Sequence, residues 1–124
     1  MDKKRILLVD DDLSFTRMMK LNLERAGAYE IRVENTGSHA VATAHEFMPH
    51  LILLDVIMPE VDGGDVAALL KQDPLLKDIP VVFITALVSG EENVSGGLIR
   101  SGYRFIGKLA SEKEILQCIE DNVR

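Results

Sequence analysis

Residues 6–12 read ILLVDDD and residues 51–55 read LILLD, so each stretch has four apolar residues that end at an aspartate. Runs this short and this continuously apolar predict β-strands that are buried on both faces, as in a parallel sheet covered by helices. Two further apolar runs occupy 81–84 and 103–106, and the mixed segment 30–34 also has the composition of a strand. The sequence therefore predicts five strands.

The segments between these strands have apolar residues at helical spacing, so a strand is followed by a helix five times. Parallel strands joined in this way adopt right-handed crossovers. We therefore predict an α/β protein with a doubly wound (βα)5, flavodoxin-like fold. It has a five-stranded parallel sheet of order 2-1-3-4-5 with helices on both faces. The length of 124 residues fits one domain, so 1–124 is predicted to be a single domain.

The first helix is predicted over 13–26, because apolar residues recur there at helical spacing and Gly27 follows as a C-terminal signal. Met18 and Met19 are predicted to lie in the core. Asp12 is predicted to cap this helix or to place negative charge at its N-terminus, rather than to bind a metal.

The last helix begins with Ser111 and Glu114, whose spacing predicts a capping box in which each side chain bonds the other residue's backbone N–H. The segment 91–101 is predicted to be a frayed helix. Gly96 and Gly97 lie in its middle, and each costs about 1 kcal/mol relative to alanine.

The formal net charge of −6 disfavours direct binding to nucleic acid or to an anionic membrane. The apolar stretch at 6–9 is too short for a secretory leader, and no stretch is long enough to span a membrane. Cys118 is the only cysteine, so no internal disulfide can form, and we expect it to behave as a small core residue. A reducing cytoplasm is the expected location.

Polar residues follow four of the predicted strands at the point where each strand ends. They are Asp10 and Asp11, then Asp55, then Thr85, and finally Lys108. The carboxyl ends of parallel strands line one edge of the sheet, where ligands bind at the reversal of strand order. With the order 2-1-3-4-5, these side chains are expected to converge.

A convergence of carboxylates requires positive charge. Two carboxylates about 4 Å apart repel by about 4 kcal/mol at an effective dielectric of about 20. Lys108 supplies one positive charge, and a hard divalent cation with oxygen ligands would supply the rest. Mg²⁺ suits a shallow site with few protein ligands, whereas Ca²⁺ prefers a fuller oxygen cage.

Asp55 at the centre of this group could act as a nucleophile toward a phosphoryl group. Lys108 and the cation would neutralise charge on the phosphoryl oxygens, and Thr85 could donate a hydrogen bond to them. Any one of these residues alone is more simply a cap or turn residue. Four such positions at four strand ends favour a functional site.

These residues also carry a resemblance. The chain resembles a bacterial response-regulator receiver domain of two-component signalling over essentially its whole length. The matching pieces are ILLVDDD at 6–12, DVIMPEVDG at 55–63, Thr85-Ala86 and Lys108. In this order and spacing they are highly specific.

The resemblance implies that Asp10 and Asp11 hold Mg²⁺ and that Asp55 is both phosphoacceptor and metal ligand. It also implies that the backbone carbonyl of Ile57 completes the protein ligands. Thr85 and Lys108 would contact the phosphoryl group.

In the family, an aromatic residue three places before the lysine turns inward as the threonine moves, which indicates Phe105 here, although Tyr103 shares its strand face. Phosphorylation would reshape the face made by the fourth helix, fifth strand and fifth helix. The donor would be a phosphohistidine on a sensor histidine kinase or phosphotransfer protein, and the target an unknown downstream protein. A phosphorylation-dependent homodimer is common in the family.

The chain departs from the family at Leu109, where a proline usually follows the lysine, often through a cis bond. A non-proline cis bond costs about 3 kcal/mol, so we expect a trans bond and a rearranged loop around Lys108. Whether the chain is free-standing or part of a longer regulator stays open.

Three other functions share this fold. A phosphatase of the haloacid dehalogenase type needs a second acid two residues after the nucleophile, and that position is Ile57, so we predict that the chain is not a turnover enzyme. A flavodoxin-like binder would place the FMN phosphate beside three aspartates, which would repel it. A degenerate receiver that acts only through protein contacts is the runner-up, because of Leu109.

Overall fold

The computed structural model describes residues 2–86 and 103–123. In the described ranges the elements in chain order are β1 (Lys4–Val9), α1 (Leu13–Arg25), β2 (Tyr29–Glu34), α2 (Ala40–Phe47), β3 (Leu51–Asp55), α3 (Gly63–Gln72), β4 (Val81–Thr85), β5 (Arg104–Gly107) and α4 (Glu112–Asn122). A short 3₁₀ turn at Gly37–His39 leads into α2. The segment 91–101, predicted to be a frayed helix, lies outside the described residues.

The five strands form one parallel sheet in the order β2-β1-β3-β4-β5, which confirms the predicted topology. Ile6 pairs with Ile31 on one side and with Leu51 on the other, so β1 lies inside the sheet between β2 and β3. β4 pairs with β3 and β5, and Thr85 stands opposite Gly107. The doubly wound α/β fold class is therefore confirmed.

The core consists of two clusters, one on each face of the sheet. Alternate residues of β1, β3 and β4 pack against α2 and α3 on one face, and the intervening residues pack against α1 and α4 on the other. Every residue of β3 and β4 is buried, as the continuous apolar runs predicted. β5 differs, because none of its residues is fully buried.

The helix ends follow the sequence signals. Asp12 caps α1 by accepting a hydrogen bond from the Phe15 N–H at 3.0 Å, and the Ser111–Glu114 capping box at α4 is present in both directions. Met19 is buried as predicted, but Met18 is 51% exposed, so its predicted core position is wrong. Helical spacing alone did not separate it from its buried neighbour Met19. Cys118 is only half-buried.

The edge strand β2 forms two hydrogen bonds with side chains of α1 at its centre. The Ile31 N–H donates to Glu24 Oε2 at 3.0 Å, and Lys20 Nζ donates to the Ile31 carbonyl oxygen at 2.7 Å. Lys20 and Glu24 also form an ion pair at 3.0 Å along α1. Both backbone groups of Ile31 are therefore satisfied by the helix.

No helix in the described part of the chain is long and apolar enough to cross a membrane.

Candidate phosphoacceptor and metal site

The carboxyl ends of the strands bring the predicted acidic residues together. Asp10 and Asp11 directly follow β1, and Asp55 is the last residue of β3, which pairs with β1. One carboxylate oxygen from each of these three residues lies within 4.8 Å of the other two. Asp10 and Asp55 are buried, whereas Asp11 is exposed. The cluster therefore has a buried floor and an open side.

Asp10 is held by its local backbone. Its Oδ1 atom accepts a hydrogen bond from the Asp12 N–H at 3.0 Å, and its side chain is fully buried. Its Oδ2 atom forms an ion pair with Lys108 Nζ at 2.7 Å, but the contact lacks hydrogen-bond geometry, and no donor in the described ranges satisfies that oxygen. Asp10 thus directs a buried and incompletely satisfied oxygen into the cluster.

Lys108 joins the cluster from the end of β5. Its Nζ atom lies 2.7 Å from Asp10 Oδ2 and 3.7 Å from Asp55 Oδ2, and its backbone N–H donates to the Thr85 carbonyl oxygen at 2.9 Å. Burial disfavours the ammonium, but the contact with Asp10 and the charges of Asp10 and Asp55 outweigh it and raise the pKa of Lys108. The bond to Leu109 is trans, as predicted. The lysine reaches both carboxylates with leucine after it.

Burial, with the Asp10 charge as the next cause, raises the pKa of Asp55 to about 7, although Lys108 opposes the shift. One ammonium therefore does not compensate two buried carboxylates. The donor set consists of carboxylate oxygens, the ligands that hard divalent cations prefer, and Asp10 Oδ2 lacks a hydrogen-bond donor. These residues fit Mg²⁺, and Asp10, Asp11 and Asp55 are the ones that could hold it.

The segment between Asp55 and α3 forms the open side of the site. Ile57 presents a side chain that is 59% exposed, and residues 56–62 line a shallow depression. The Gly63 N–H donates to the Val56 carbonyl oxygen at 2.7 Å, and a Cβ atom at Gly63 would collide with the Asp55 carbonyl oxygen. The backbone that carries Asp55 is thus packed directly against the start of α3.

Thr85 is buried at the end of β4, beside the strand that carries Asp55. Phe105 stands opposite Phe83 in the β4–β5 pair, and their rings meet edge to face at 5.2 Å. Tyr103 makes the same kind of contact with Phe83 at 5.0 Å. Both aromatic residues of this face therefore pack on one phenylalanine, and the switch role given to Phe105 stays a prediction.

Asn35 belongs to this end of the sheet but was missed in the sequence. Its Nδ2 atom donates to the Asp10 carbonyl oxygen at 2.7 Å and to Thr16 Oγ1 at 3.0 Å. Thr16 in turn donates to the Leu13 carbonyl oxygen at 3.2 Å. Asn35 directly follows β2, so the same strand-end reasoning that indicated the other polar residues would have found it.

The histidines lie outside the acidic cluster. His45 Nε2 lies 2.6 Å from Asp73 Oδ2, and His50 Nδ1 accepts a hydrogen bond from the Arg5 N–H at 2.9 Å. His39 is exposed and 3.8 Å from Glu34. These contacts join neighbouring elements, and the described residues contain no metal-binding group that includes a histidine.

Comparison with known proteins identifies the class. Residues 6–120 match the family described as the response regulator receiver domain. The chain is 42% identical over 92 residues to the response regulator PleD of Caulobacter vibrioides, covering 74% of this chain and 20% of that protein. It is 39% identical over 115 residues to the phosphate regulon transcriptional regulatory protein PhoB of Pseudomonas aeruginosa, covering 91% of this chain and 48% of that protein.

Solved structures agree on the fold. A response regulator from Desulfuromonas acetoxidans superposes with a TM-score of 0.81 at 26% identity, covering 95% of this chain and 94% of that one. The chemotaxis protein CheY4 of Vibrio cholerae superposes with a TM-score of 0.83 at 24% identity, covering 98% and 100%, and supports the fold alone. The chain belongs to the response-regulator receiver family.

Membership makes the chain a receiver domain of two-component signalling, in which the regulators are phosphorylated on aspartate. Response regulators interact with histidine kinases or phosphotransfer proteins. The chain spans less than half of the length of the curated relatives named above, one of which is a transcriptional regulator.

Proposed function

We propose that this chain accepts a phosphoryl group on Asp55 from a phosphohistidine donor, with Mg²⁺ bound, and passes the signal on by changing shape. The observation that supports this most directly is the cluster itself. A buried Asp55 carboxylate lies within 4.8 Å of carboxylate oxygens of Asp10 and Asp11, with Lys108 Nζ 3.7 Å away. We propose that residues 1–124 act as one receiver unit.

In the proposed transfer, an oxygen of the ionised Asp55 carboxylate forms a bond to phosphorus while the nitrogen–phosphorus bond of the donor breaks. The electron pair of that bond returns to the imidazole, which leaves as a neutral ring when its other nitrogen carries a proton. The product is an acyl phosphate on Asp55. The donor would belong to a sensor histidine kinase or a phosphotransfer protein.

Bound Mg²⁺ would supply positive charge to the carboxylates and to the phosphoryl oxygens. Asp10, Asp11, Asp55 and the Ile57 backbone carbonyl are the proposed protein ligands. Lys108 would donate to a phosphoryl oxygen from a position that already adjoins Asp55.

Thr85 would supply a hydroxyl hydrogen bond from the neighbouring strand. Its movement toward the phosphoryl group, coupled to Phe105, would change the face formed by β5, α4 and the helix predicted at 91–101. A downstream protein would read that face, and a phosphorylation-dependent homodimer is one form the output would take. We propose no turnover of an external substrate, no direct contact with nucleic acid by this domain, and a cytoplasmic location.

The alternative is a degenerate receiver that works only as a protein-interaction module. The feature in its favour is Leu109, which directly follows Lys108 and is 92% exposed. Against it stands the complete set of acidic residues, threonine and lysine at one edge of the sheet. The two functions differ in one measurable property, the formation of a phosphoryl adduct.

The test is incubation of the protein with acetyl phosphate, with Mg²⁺ or with EDTA, followed by intact-mass measurement. We expect one phosphoryl group on the wild type with Mg²⁺, and none with EDTA or on Asp55→Asn. An Asp62→Asn variant is the matched control, because this exposed carboxylate on the same loop accepts a hydrogen bond from the Gly64 N–H and lies outside the cluster. A wild type that binds Mg²⁺ but forms no adduct would favour the interaction module.

A further inference from the structure

An aromatic ring contacts the lysine of the site. Lys108 Nζ lies 4.9 Å from the centroid of the Phe15 ring, within the range of a cation–π interaction. The Lys108 side chain is 15% exposed and Phe15 is 9% exposed, so water screens the contact only weakly. The ammonium therefore has an aromatic neighbour in addition to the Asp10 and Asp55 carboxylates.

The Phe15 ring is itself held in a fixed position. It lies in the first turn of α1, where its N–H donates to the Asp12 side chain at 3.0 Å. Its ring is part of the buried cluster between the sheet, α1 and α4. A capped helix start and core packing leave the ring little freedom, so it is a rigid support for a flexible side chain.

The backbone around Lys108 does not by itself fix the position of the ammonium. Its long stem has several rotatable bonds, and the Leu109 that follows is 92% exposed and has no ring to restrict the backbone. The Lys108 side chain also has an alternative position available. A small cavity of about 60 Å³ between α1 and α4 is lined by Lys108 and by the acidic Glu112, together with apolar residues such as Met18 and Ile115.

We propose that Phe15 is a positioning residue for Lys108. Its ring holds the ammonium beside Asp10 and Asp55 and keeps it from turning into the cavity toward Glu112. This inference rests on the proposed function, since its consequence is that Lys108 is ready to meet a phosphoryl group on Asp55.

The experiment compares the rates at which acetyl phosphate phosphorylates three variants in Mg²⁺. Phe15→Leu removes the ring and keeps an apolar side chain, and we expect it to react roughly fivefold to thirtyfold more slowly than the wild type. Phe15→Tyr keeps the ring and should react within about twofold of the wild type.

The matched control is Phe47→Leu. Phe47 is 7% exposed, and its ring lies 4.9 Å below the Arg32 guanidinium on the other face of the sheet. This variant removes an equally buried ring with an equal cation contact away from Lys108. It should lose similar stability and keep the wild-type phosphorylation rate.

Three readouts separate positioning from general damage. In the wild type, the ring current of Phe15 should shift the Lys108 ε-methylene signals in ¹H–¹³C spectra, and Phe15→Leu should abolish that shift. In a Lys108→Ala background, Phe15→Leu should slow the residual reaction no further. Adding Glu112→Gln to Phe15→Leu should recover part of the rate, because the competing carboxylate charge is gone.

Three results would overturn the inference. Phe15→Leu could react at the wild-type rate, it could slow the reaction equally in the Lys108→Ala background, or it could leave the Lys108 ε-methylene signals unchanged. Absence of any adduct on the wild type is a different result. It would overturn the proposed function, and the positioning role with it. An active wild type with an unaffected Phe15→Leu would overturn the positioning role alone.

Discussion

The two sides of the acidic cluster are built differently. On the β1 side, the chain enters α1 within three residues of Asp10. The Asp10 and Asp12 side chains accept hydrogen bonds from the Asp12 and Phe15 N–H groups, and the Asn35 side chain donates to the Asp10 carbonyl oxygen and to Thr16 Oγ1. On the β3 side, seven residues separate Asp55 from α3, and Ile57 is largely exposed. One side fixes charge and the other is open to solvent. The proposed function uses both properties, because it combines a bound cation with a bulky phosphoryl donor.

The exposed side nevertheless has one rigid point, and breaking it should give the largest effect. Gly63→Ala places a Cβ against the Asp55 carbonyl oxygen, so the backbone of one of the two segments has to shift. We expect a loss of about 3 kcal/mol in the free energy of unfolding and loss of the phosphoryl adduct. Urea unfolding and intact-mass measurement check this.

Gly64→Ala is the control for that variant. Its Cβ would meet only Asp62 Oδ1 at 3.4 Å, so stability should be unchanged or slightly higher. Equal losses for the two alanine variants would show that helix-start chemistry, rather than the contact with Asp55, is responsible.

The next effect concerns the charge on the buried floor. Because the folded-state pKa of Asp55 is raised from 3.8 to about 7, its protonated form is favoured in the folded protein. This contribution to stability is complete below pH 3.8 and is lost as pH rises toward 7. In EDTA, we expect Asp55→Asn to exceed the wild type in stability by about 2 kcal/mol more at pH 7.5 than at pH 5.

Thermal and urea unfolding of both proteins at the two pH values check this prediction. Saturating Mg²⁺ should stabilise the wild type far more than Asp55→Asn, because the ion offsets the repulsion that the variant lacks. A gap between the proteins that does not change with pH would contradict the assigned direction.

The fixed side can be loosened without touching a carboxylate. Asn35→Ala removes the donor to the Asp10 carbonyl oxygen and to Thr16, and we expect it to cost about 1–2 kcal/mol. Mg²⁺ affinity, measured by titration calorimetry, should fall severalfold because Asp10 is no longer held. Asn22→Ala removes a half-buried amide of α1 that accepts a hydrogen bond from Arg25, and it should leave both quantities nearly unchanged.

The smallest expected effect distinguishes adjacent aspartates. Asp12→Asn retains a capping oxygen for α1, so stability should change by less than about 0.5 kcal/mol and Mg²⁺ affinity by less than about twofold. Asp11→Asn should weaken Mg²⁺ binding about tenfold or more, because it removes a carboxylate ligand. Equal effects in calorimetry would place Asp12 in the metal site.

The sequence was sufficient for the strands, their order and the convergence of the site, because continuous apolar runs and strand-end positions are local properties with one geometric consequence. It was also sufficient for the Asp12 cap and for the Ser111–Glu114 capping box. Asn35 was missed although it follows β2 as the other polar residues follow their strands, and its bonds to Asp10 and Thr16 are seen only in the folded chain. The contact between Phe15 and Lys108 joins α1 to the end of β5, which are far apart in the sequence. Met18 was misplaced because adjacent positions on a helix differ in burial by an angle that only packing determines.

The hydrogen bonds that Lys20 and Glu24 of α1 make with the centre of β2 affect how this protein can associate with other molecules. An exposed sheet edge offers unpaired backbone groups to a strand from another molecule, and such addition leads to aggregates. Here both outward backbone groups of Ile31 are already taken by α1, so an incoming strand would have to displace an ion pair to pair at that point. Strand-to-strand association through the centre of β2 is therefore disfavoured.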